Sequence, residues 1–482
     1  MTPADDNSPF VYEANTYRNR RVSHWEDIYN RRPSSLGNYY RERLIDCYRN
    51  LIPEGSSVLE IGCGEGGLLS ALKPSSGVGI DFSQRATEQA RAAFPALSFY
   101  VGDAHELNLG EQRFDFIVLS DLLNDLWDVQ AVLQGIKRYC SEQTRIVLNV
   151  HSHLWNAPFS LAQQLGLARP KMPQNWLTRH DILNLLEISG FQALRAWEEV
   201  VIPIRVPLLA AFVNRYLAKL WPFRFGAVAN FVIARPHDTQ RKHCPSVSVV
   251  IAARNEEGHI TELIERIPKM GSGTEIIFVE GGSTDLTYDA IQKVIADRPL
   301  LNCKLIKQSG KGKGDAVRAG FNTASGDVLM ILDADITVPP EDLPRFLAPL
   351  ANGSAEFVNG VRLVYPMESG AMRFANLVGN KFFSWAFSWL LGQPIRDTLC
   401  GTKVLWRRDY LRIAANRKYF GDFDPFGDFD LLFGAARLNL KILEVPIRYR
   451  ARRYGETNIS RWRHGVLLLR MVWFAAKRIK FV

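Results

Sequence analysis

The sequence predicts an α/β protein of two domains, and three observations predict it. At 482 residues the chain exceeds the about 250–300 residues at which a single hydrophobic core stops growing, so at least two domains are expected. In both halves, β-branched apolar runs alternate with stretches of helical periodicity, the pattern of a mostly parallel sheet with right-handed crossovers. Between the halves, RPHDTQRKHCPS from Arg235 is polar, charged and bounded by prolines, without apolar periodicity, and reads as a linker.

Composition narrows the class further. With 47% apolar and 23% charged residues the chain is a folded globular protein. A net charge of +9 calls for an anionic partner, which nucleic acid, nucleotide phosphates and an acidic membrane surface all satisfy. The cysteines, Cys47, Cys63, Cys140, Cys244, Cys303 and Cys400, form no CxxC pair and no zinc spacing, which predicts reduced thiols in a cytosolic compartment. Acids and aromatics stand near the N-terminus where an export signal would have an apolar core, so export is not expected. The longest uncharged apolar-looking run, Phe382 to Ile395, is fourteen residues, short of the ~20 that span a bilayer. Membrane contact is therefore expected to be peripheral.

After a polar, Arg- and Tyr-rich lead-in expected to be partly helical, SVLEIGCGEGGLLSAL from Ser57 is a strand that enters a glycine-rich loop and leaves as a helix. Gly62, Gly64 and Gly67 satisfy GxGxxG, weak by itself. Glu60 precedes the first glycine, and Asp81 ends the next strand nineteen residues after Gly62, where a carboxylate accepts ribose hydroxyls. A third strand, SFYVGDAHEL, ends at Asp103, and a fourth, FDFIVLSDLLNDLWD, runs into a helix.

This series resembles the class I S-adenosylmethionine-dependent methyltransferases over residues 40–236. The resemblance implies a Rossmann-like fold in which Glu60, Gly62 and Gly64 shape the methionine and ribose pocket, Asp81 holds the ribose and Asp103 the adenine amine. An NAD-dependent dehydrogenase is the rival, disfavoured by Glu60 in a position usually apolar. Near the expected pocket, NVHSHLWN supplies His151, His153 and Trp155, with Asn124 and Asp125 opposite; one of them serves as a general base, or a histidine is a hydrogen-bonded structural residue. PLLAAFVNRYLAKLWPF, after Val206, is apolar at helical spacing with Arg215 and Lys219 among the apolar positions; sheltering an acceptor, lying on a membrane and packing on the second domain are all compatible with it, packing foremost.

In the second half, VSVVIAARNEEGHITELIERI, EIIFVEGGSTDLTYDAI and CKLIKQSGKGKGDAVRAGF are three successive strand–loop–helix units leading to VLMILDADITVPPEDL. Five apolar residues there run into Asp333 and Asp335. On a strand, residues two apart project to one side, so a divalent cation fits between them, and hard carboxylate oxygens suit Mg2+ or Mn2+. A turn capping a helix that starts near Pro339 uses the same residues.

ARNEE, VEGGSTD, GKGKGDAVRAG and DADI occur in the order seen in family 2 glycosyltransferases of the GT-A fold, and the resemblance covers residues 246–460. It implies that Glu256 and Glu280 contact a uridine-type nucleoside, that Lys311 and Lys313 lie near the nucleotide-sugar, and that Asp333 and Asp335 carry Mg2+ or Mn2+. Lys311 and Lys313 are equally compatible with a solvated loop. Glu280-Gly281 stands where Asp-Asp is commoner, which leaves the donor base open. GDFDLLFGAARLNL resembles the family's EDxDL signature with Gly427 in place of its Glu, and makes Asp428 the candidate base for a hydroxyl acceptor; capping the helix that follows is the other role open to it.

A branch similar to dolichyl-phosphate mannose synthases instead transfers to a polyprenyl phosphate and needs no strong base. Arg362 and Arg452 resemble that branch's phosphate-contacting positions, and Arg binds phosphate oxygens bidentately. Between them the aromatic stretch from Ala375 to Lys403 is a lid or helix pair compatible with a membrane interface or with a buried core. From Arg461 to Val482 six cations, Val466, Leu467, Leu469, Val472, Trp473, Phe474 and no acid predict a basic amphipathic helix that lies on anionic lipid or docks on the catalytic domain.

The expected organisation is an N-terminal extension over 1–40, the methyltransferase-like domain over 41–236, a linker over 237–245, the glycosyltransferase domain over 246–460 and the basic helix over 461–482. The expected activity is bifunctional: metal-dependent inverting transfer from a nucleotide-sugar to a glycan or lipid-linked hydroxyl, with methyl transfer from S-adenosylmethionine. The alternative is transfer to a polyprenyl phosphate with the first half only a binding or scaffolding module. Partners are then the nucleotide-sugar, the glycan or lipid-linked acceptor and the inner face of the cytoplasmic membrane. Nucleic acid is not expected, because the cations gather in the terminal apolar helix and beside the sugar-nucleotide motifs.

Overall fold

A computed structural model describes residues 9–30, 35–164, 172–237, 243–362, 364, 374–417, 428–450 and 461–481. The chain divides into two compact units, Met1–His237 with Lys480–Val482, and Asp238–Ile479.

The first unit is built on β1 (Ser57–Ile61), β2 (Ser76–Asp81), β3 (Ser98–Val101), β4 (Phe114–Ser120), β5 (Cys140–His151), β6 (Phe191–Glu199) and β7 (Ala229–Pro236), in the order β3-β2-β1-β4-β5-β7-β6. β1 to β5 pair in parallel, and β7 runs antiparallel to both β5 and β6. Parallel strands buried on both faces need continuous apolar runs. Leu59, Ile61, Ile117 and Leu119 accordingly face one core, and Val58, Phe116 and Val118 face the other. β1 is flanked by β2 and β4, so the strand order reverses there and opens a crevice beyond the carboxyl ends of the strands. The lead-in is more helical than its composition suggests, with helices at Pro9–Asn30 and Ser35–Leu51.

The second unit contains β8 (Val247–Ala253), β9 (Thr274–Glu280), β10 (Cys303–Lys307), β11 (Val328–Ile331), β12 (Phe357–Val361), β13 (Lys403–Trp406) and β14 (Ile442–Pro446), ordered β10-β9-β8-β11-β13-β12-β14. Among these strands β13 alone runs against the rest. Val249, Ile251, Phe278, Met330 and Phe346 form the heart of its core. The two-domain α/β expectation holds, with mixed sheets in both units.

One local expectation changes. β11 ends at Ile331, so Asp333 and Asp335 lie in a turn beyond the strand and strand alternation does not decide where they point. The following helix begins at Leu343 after a 3-10 turn at Pro340–Asp342, because Pro339-Pro340 removes two amide donors from the start of the segment.

The C-terminal helix, Arg461–Ala475, neighbours the helix Phe374–Leu391. It is not divided into one apolar and one basic face: Leu468, Met471 and Ala475 are buried, while Val466, Leu469 and Trp473 are exposed beside Arg470. Apolar residues therefore point both ways. Among the described residues no helix is long and apolar enough to cross a membrane, and all six cysteines are free thiols.

Candidate active sites

In the first unit the glycine loop leaves β1 through left-handed backbone at Gly62 and Gly64, with φ of 77° and 50°, conformations that glycine adopts without penalty. Gly62 N–H donates to Ile80 O at 2.7 Å, and Gly64 N–H donates to Asp81 Oδ2 at 2.8 Å. Ser83 N–H donates to the other Asp81 oxygen at 2.9 Å. Asp81 thus clamps the glycine loop to the end of β2, and burial, outweighing these two bonds, raises its carboxyl above the usual range.

Glu60 is buried on β1, and its Oε2 has no hydrogen-bond partner among the described residues. Burial pushes its carboxyl up to about 8, and the Asp81 charge adds to the effect. A buried acceptor without a donor at the mouth of a glycine loop fits a ligand that brings a donor or a positive charge. Asp103, past β3, accepts from His105 N–H at 2.8 Å and lies 2.7 Å from His105 Nδ1 and 2.9 Å from Arg18 Nε.

That last contact was not legible in the sequence. The helix Pro9–Asn30 reaches two of the expected site residues and the turn after Asp81: Arg18 pairs with Asp103, Arg21 Nη1 donates to Asp125 Oδ1 at 2.6 Å, and Glu26 accepts from Ser83 Oγ at 2.8 Å. A methyl group at Gly64 would meet Tyr29 Oη at 2.7 Å. Arg18, Arg21, Glu26 and Tyr29 recur at spacings of three to five, the one local signal that they share a face.

At the ends of β4 and β5 a polar cluster gathers around Asp121, whose φ of 51° is strained for a side chain. Tyr40 Oη donates to Asp121 Oδ1 at 3.2 Å, Asn149 Nδ2 donates to the same oxygen at 2.5 Å, and His151 Nδ1 lies 3.7 Å away. The buried His151 ring stacks on Tyr40 with centroids 5.8 Å apart. Of the other expected residues, Asn124 accepts from His151 N–H at 3.1 Å, Trp155 Nε1 donates to Gly226 O at 3.0 Å, and His153 is exposed against Trp176. Asp121 and Tyr40 were missed from the sequence.

In the second unit Glu256 and Glu280 are buried beside the carboxyl ends of β8 and β9. Glu256 Oε2 lies 3.0 Å from His259 Nδ1, and Glu280 Oε1 accepts from Ser283 N–H at 2.5 Å. Between them Asn255, at φ 57°, accepts from Thr284 N–H at 2.8 Å. Lys311 is exposed in the loop before the helix Lys313–Thr323.

Lys313 Nζ forms an ion pair with Asp333 Oδ1. Burial raises the Asp333 carboxyl, but the Lys313 charge, with Arg362 and Lys403 behind it, outweighs this and holds it below the usual range. Asp335 Oδ1 accepts from Thr337 N–H at 3.2 Å and from Thr337 Oγ1 at 2.7 Å, and Ile336 between them is held at φ 53°, an outlier for a β-branched residue. A methyl group at Gly401 would overlap both Asp333 Oδ2 and Lys313 Nζ.

Arg362, expected to face phosphate, is committed elsewhere: its Nε and Nη2 donate to the two oxygens of the fully buried Asp397 at 2.7 and 2.8 Å, and its backbone N–H adds a bond at 3.1 Å. Tyr449 lies under its guanidinium at 5.1 Å. Lys403, also fully buried, donates to Cys400 O at 2.5 Å. Asp397, Gly401 and Lys403 were not singled out from the sequence. Asp428 begins the helix Asp428–Arg437, with its side chain outside the described residues, and Arg452 lies outside them altogether. Among the described residues no three His, Cys, Asp or Glu side chains converge on a metal-sized site.

Against known proteins, the profile of glycosyl transferase family 2 matches residues 248–413 and that of a methyltransferase domain matches residues 36–196. The dolichyl-phosphate hexose transferase of Haloferax volcanii is 30% identical over 222 residues, which is 46% of this chain and 90% of that protein. The chain belongs to glycosyl transferase family 2. An undecaprenyl-phosphate 4-deoxy-4-formamido-L-arabinose transferase of Proteus mirabilis is 36% identical over 220 residues, 44% of this chain and 63% of that protein. A solved glucosyl-3-phosphoglycerate synthase of Mycobacterium tuberculosis, in complex with Mn2+, uridine diphosphate and glucosyl-3-phosphoglycerate, is 21% identical, covers 49% of this chain and 80% of that one, and has a TM-score of 0.36. This family 2 enzyme therefore joins a methyltransferase domain to a glycosyltransferase domain in one chain.

Proposed function

We propose that the enzyme transfers a sugar from a nucleoside diphosphate to a polyprenyl phosphate at the membrane surface, and a methyl group from S-adenosylmethionine to an acceptor borne on the same class of product. The observation that carries the first activity is the cationic surround of Asp333. Lys313 pairs with Asp333, and Lys403 and the Asp397-bound Arg362 stand behind it, a grouping of cations suited to a reaction in which donor and acceptor both bring phosphate. The relative matched over nine-tenths of its length is named for a dolichyl-phosphate acceptor, which moves the balance from a hydroxyl to a lipid phosphate.

In this reading Glu256 and Glu280 hold the nucleoside, and Lys311 and Lys313 the diphosphate. Asp333 and Asp335 hold Mg2+ or Mn2+, two carboxylates being the usual protein share of a site completed by substrate phosphates. The bound cation offsets charge on the departing diphosphate. Asp397 fixes Arg362 at the edge of the site, leaving Arg452 as the further candidate for the acceptor phosphate. A hydroxyl acceptor remains the second reading, with Asp428 as its base, because that residue opens the helix Asp428–Arg437 within the family-like motif.

For the methyltransferase domain, Glu60, Gly62, Gly64, Asp81 and Asp103 hold S-adenosylmethionine, which supplies an electrophilic methyl group. The unpartnered Glu60 oxygen suits its ammonium.

Peripheral attachment to the inner face of the cytoplasmic membrane is supported by the helices Phe374–Leu391 and Arg461–Ala475. They expose Phe382, Trp385 (70% exposed), Leu469 and Trp473 (62% exposed) beside Lys381, Arg470 and Lys477.

The deciding experiment offers the purified enzyme a panel of nucleotide-sugars, with Mn2+ or Mg2+, and either a polyprenyl phosphate or a glycolipid hydroxyl. Product on the phosphate supports the proposal; product on the hydroxyl, abolished in Asp428→Asn, transfers it to the second reading.

A further inference from the structure

The segment between β6 and β7 has a composition unlike the rest of the first unit. Residues 201–227 include Arg205, Arg215, Lys219 and Arg224 and no Asp or Glu. Its large apolar side chains point outward: Leu208 is 90% exposed and Trp221 74%, and Leu209, Phe212, Phe223 and Phe225 are each about half exposed. Monomeric proteins rarely leave so continuous an apolar patch to water, and such patches mark interaction surfaces.

The patch is presented by an anchored scaffold. The buried Asn214 accepts from Val201 N–H at 2.8 Å and from Ile202 N–H at 2.9 Å, and donates to Ile202 O at 2.7 Å, tying the helix Leu209–Arg215 back to the strand exit. Lys219, also buried, is paired with Glu199 at the end of β6. Ala210, Val213 and Ala218 pack inward, so the outer residues are exposed because the inner ones fix the segment's orientation.

Its chemistry selects the partner. Arg224 stacks over Phe225 at 5.3 Å, and Arg215 over Tyr216 at 5.7 Å. Arg205 is paired with Glu42 and Lys219 with Glu199, but the segment itself carries no acid, and its aromatic and aliphatic groups interleaved with Arg215 and Arg224 complement the boundary of an anionic bilayer, where rings enter the headgroup layer and cations meet lipid phosphate. The patch also adjoins the methyl-transfer site. Trp155 Nε1 donates to Gly226 O at 3.0 Å and Ser152 N–H donates to Val228 O at 2.6 Å, joining its C-terminal end to the turn that follows His151.

We propose that residues 204–225 seat the methyltransferase unit on an anionic membrane, and that its methyl acceptor is carried on a membrane lipid. This rests on the methyl-transfer reading above but not on the helices assigned to membrane contact in the second unit.

Hydrogen exchange of the full chain tests it, with vesicles of phosphatidylcholine plus phosphatidylglycerol, vesicles of phosphatidylcholine alone, and no lipid. Amides in 204–225 are expected to exchange several-fold more slowly with the anionic vesicles only. A Leu208→Ser/Trp221→Ser/Phe225→Ser variant should partition onto those vesicles at least about tenfold less, since burying even one large apolar side chain is worth roughly that factor, with its melting temperature and S-adenosylmethionine affinity retained. Protection of 204–225 without lipid, through the other unit or a second copy, overturns the proposal, as does no change with lipid. Protection confined to 374–391 and 461–475 overturns it and leaves membrane attachment through the second unit standing; protection confined to 204–225 supports it and removes that attachment.

Discussion

The ammonium of Lys313 and the carboxylate of Asp333 form an ion pair at the head of the turn that also holds Asp335. A lysine cation so placed occupies charge space that a divalent ion would use, and like charges at such range oppose each other.

Two substitutions separate these roles. Lys313→Met should tighten Mn2+ binding to the nucleotide-free enzyme, measured by calorimetry, while lowering sugar transfer. Asp335→Ala should abolish sugar transfer and leave S-adenosylmethionine binding intact; undiminished transfer would remove the metal assignment.

Gly401 has no room for a methyl group against Asp333 and Lys313. Gly401→Ala should cost about 1–3 kcal/mol of stability through overpacking and reduce sugar transfer more than that loss explains, because the displaced atoms belong to the proposed metal and donor site. Chemical denaturation and single-turnover rates measure the two effects.

The buried Arg362–Asp397 fork predicts a large response to removal of one partner. Asp397→Ala should destabilise the second unit by about 3–5 kcal/mol, since it strands a buried guanidinium. Burial raises the Asp397 carboxyl, but Arg362 outweighs it and leaves the group below its ordinary value. Its contribution is therefore present above the unfolded value of about 3.9 and is lost as the pH falls through the lower folded value. Denaturation of the wild type and of Asp397→Asn on the acid side should show the wild type losing its advantage.

Glu60 carries the opposite sign. Its folded carboxyl titrates near 8 and an unfolded one near about 4.3, so the folded state holds an extra proton between these values. Stability from this group then falls as the pH rises across that window. Glu60→Gln should flatten that slope. At neutral pH, binding of S-adenosylmethionine to the wild type should release a proton, read by calorimetry in buffers of different ionisation enthalpy, and the release should vanish in the variant.

Much of the architecture was legible because it is locally encoded. β-branched runs at Val247, Glu275 and Val328 became strands, and the glycine loop after Glu60 took the turn that its composition requires. The sites were legible only in part. Arg21 meets Asp125 across 104 positions of sequence, and Arg362 meets Asp397 across 35; no helical or strand period reaches so far. Asp333 and Asp335 were found by their motif, but the strand ends before them, so their orientation follows from Lys313, Thr337 and Gly401.

The sequence by itself therefore determined the two α/β domains, the glycine loop and the acidic turn after β11, because periodicity, glycine and proline act on near neighbours. Tertiary structure alone decided that Lys313 pairs with Asp333, that Arg362 serves Asp397, and that one oxygen of Glu60 is left buried without a donor. Each of these depends on which distant side chains the fold brings within a few ångströms, and on how much water it removes from between them.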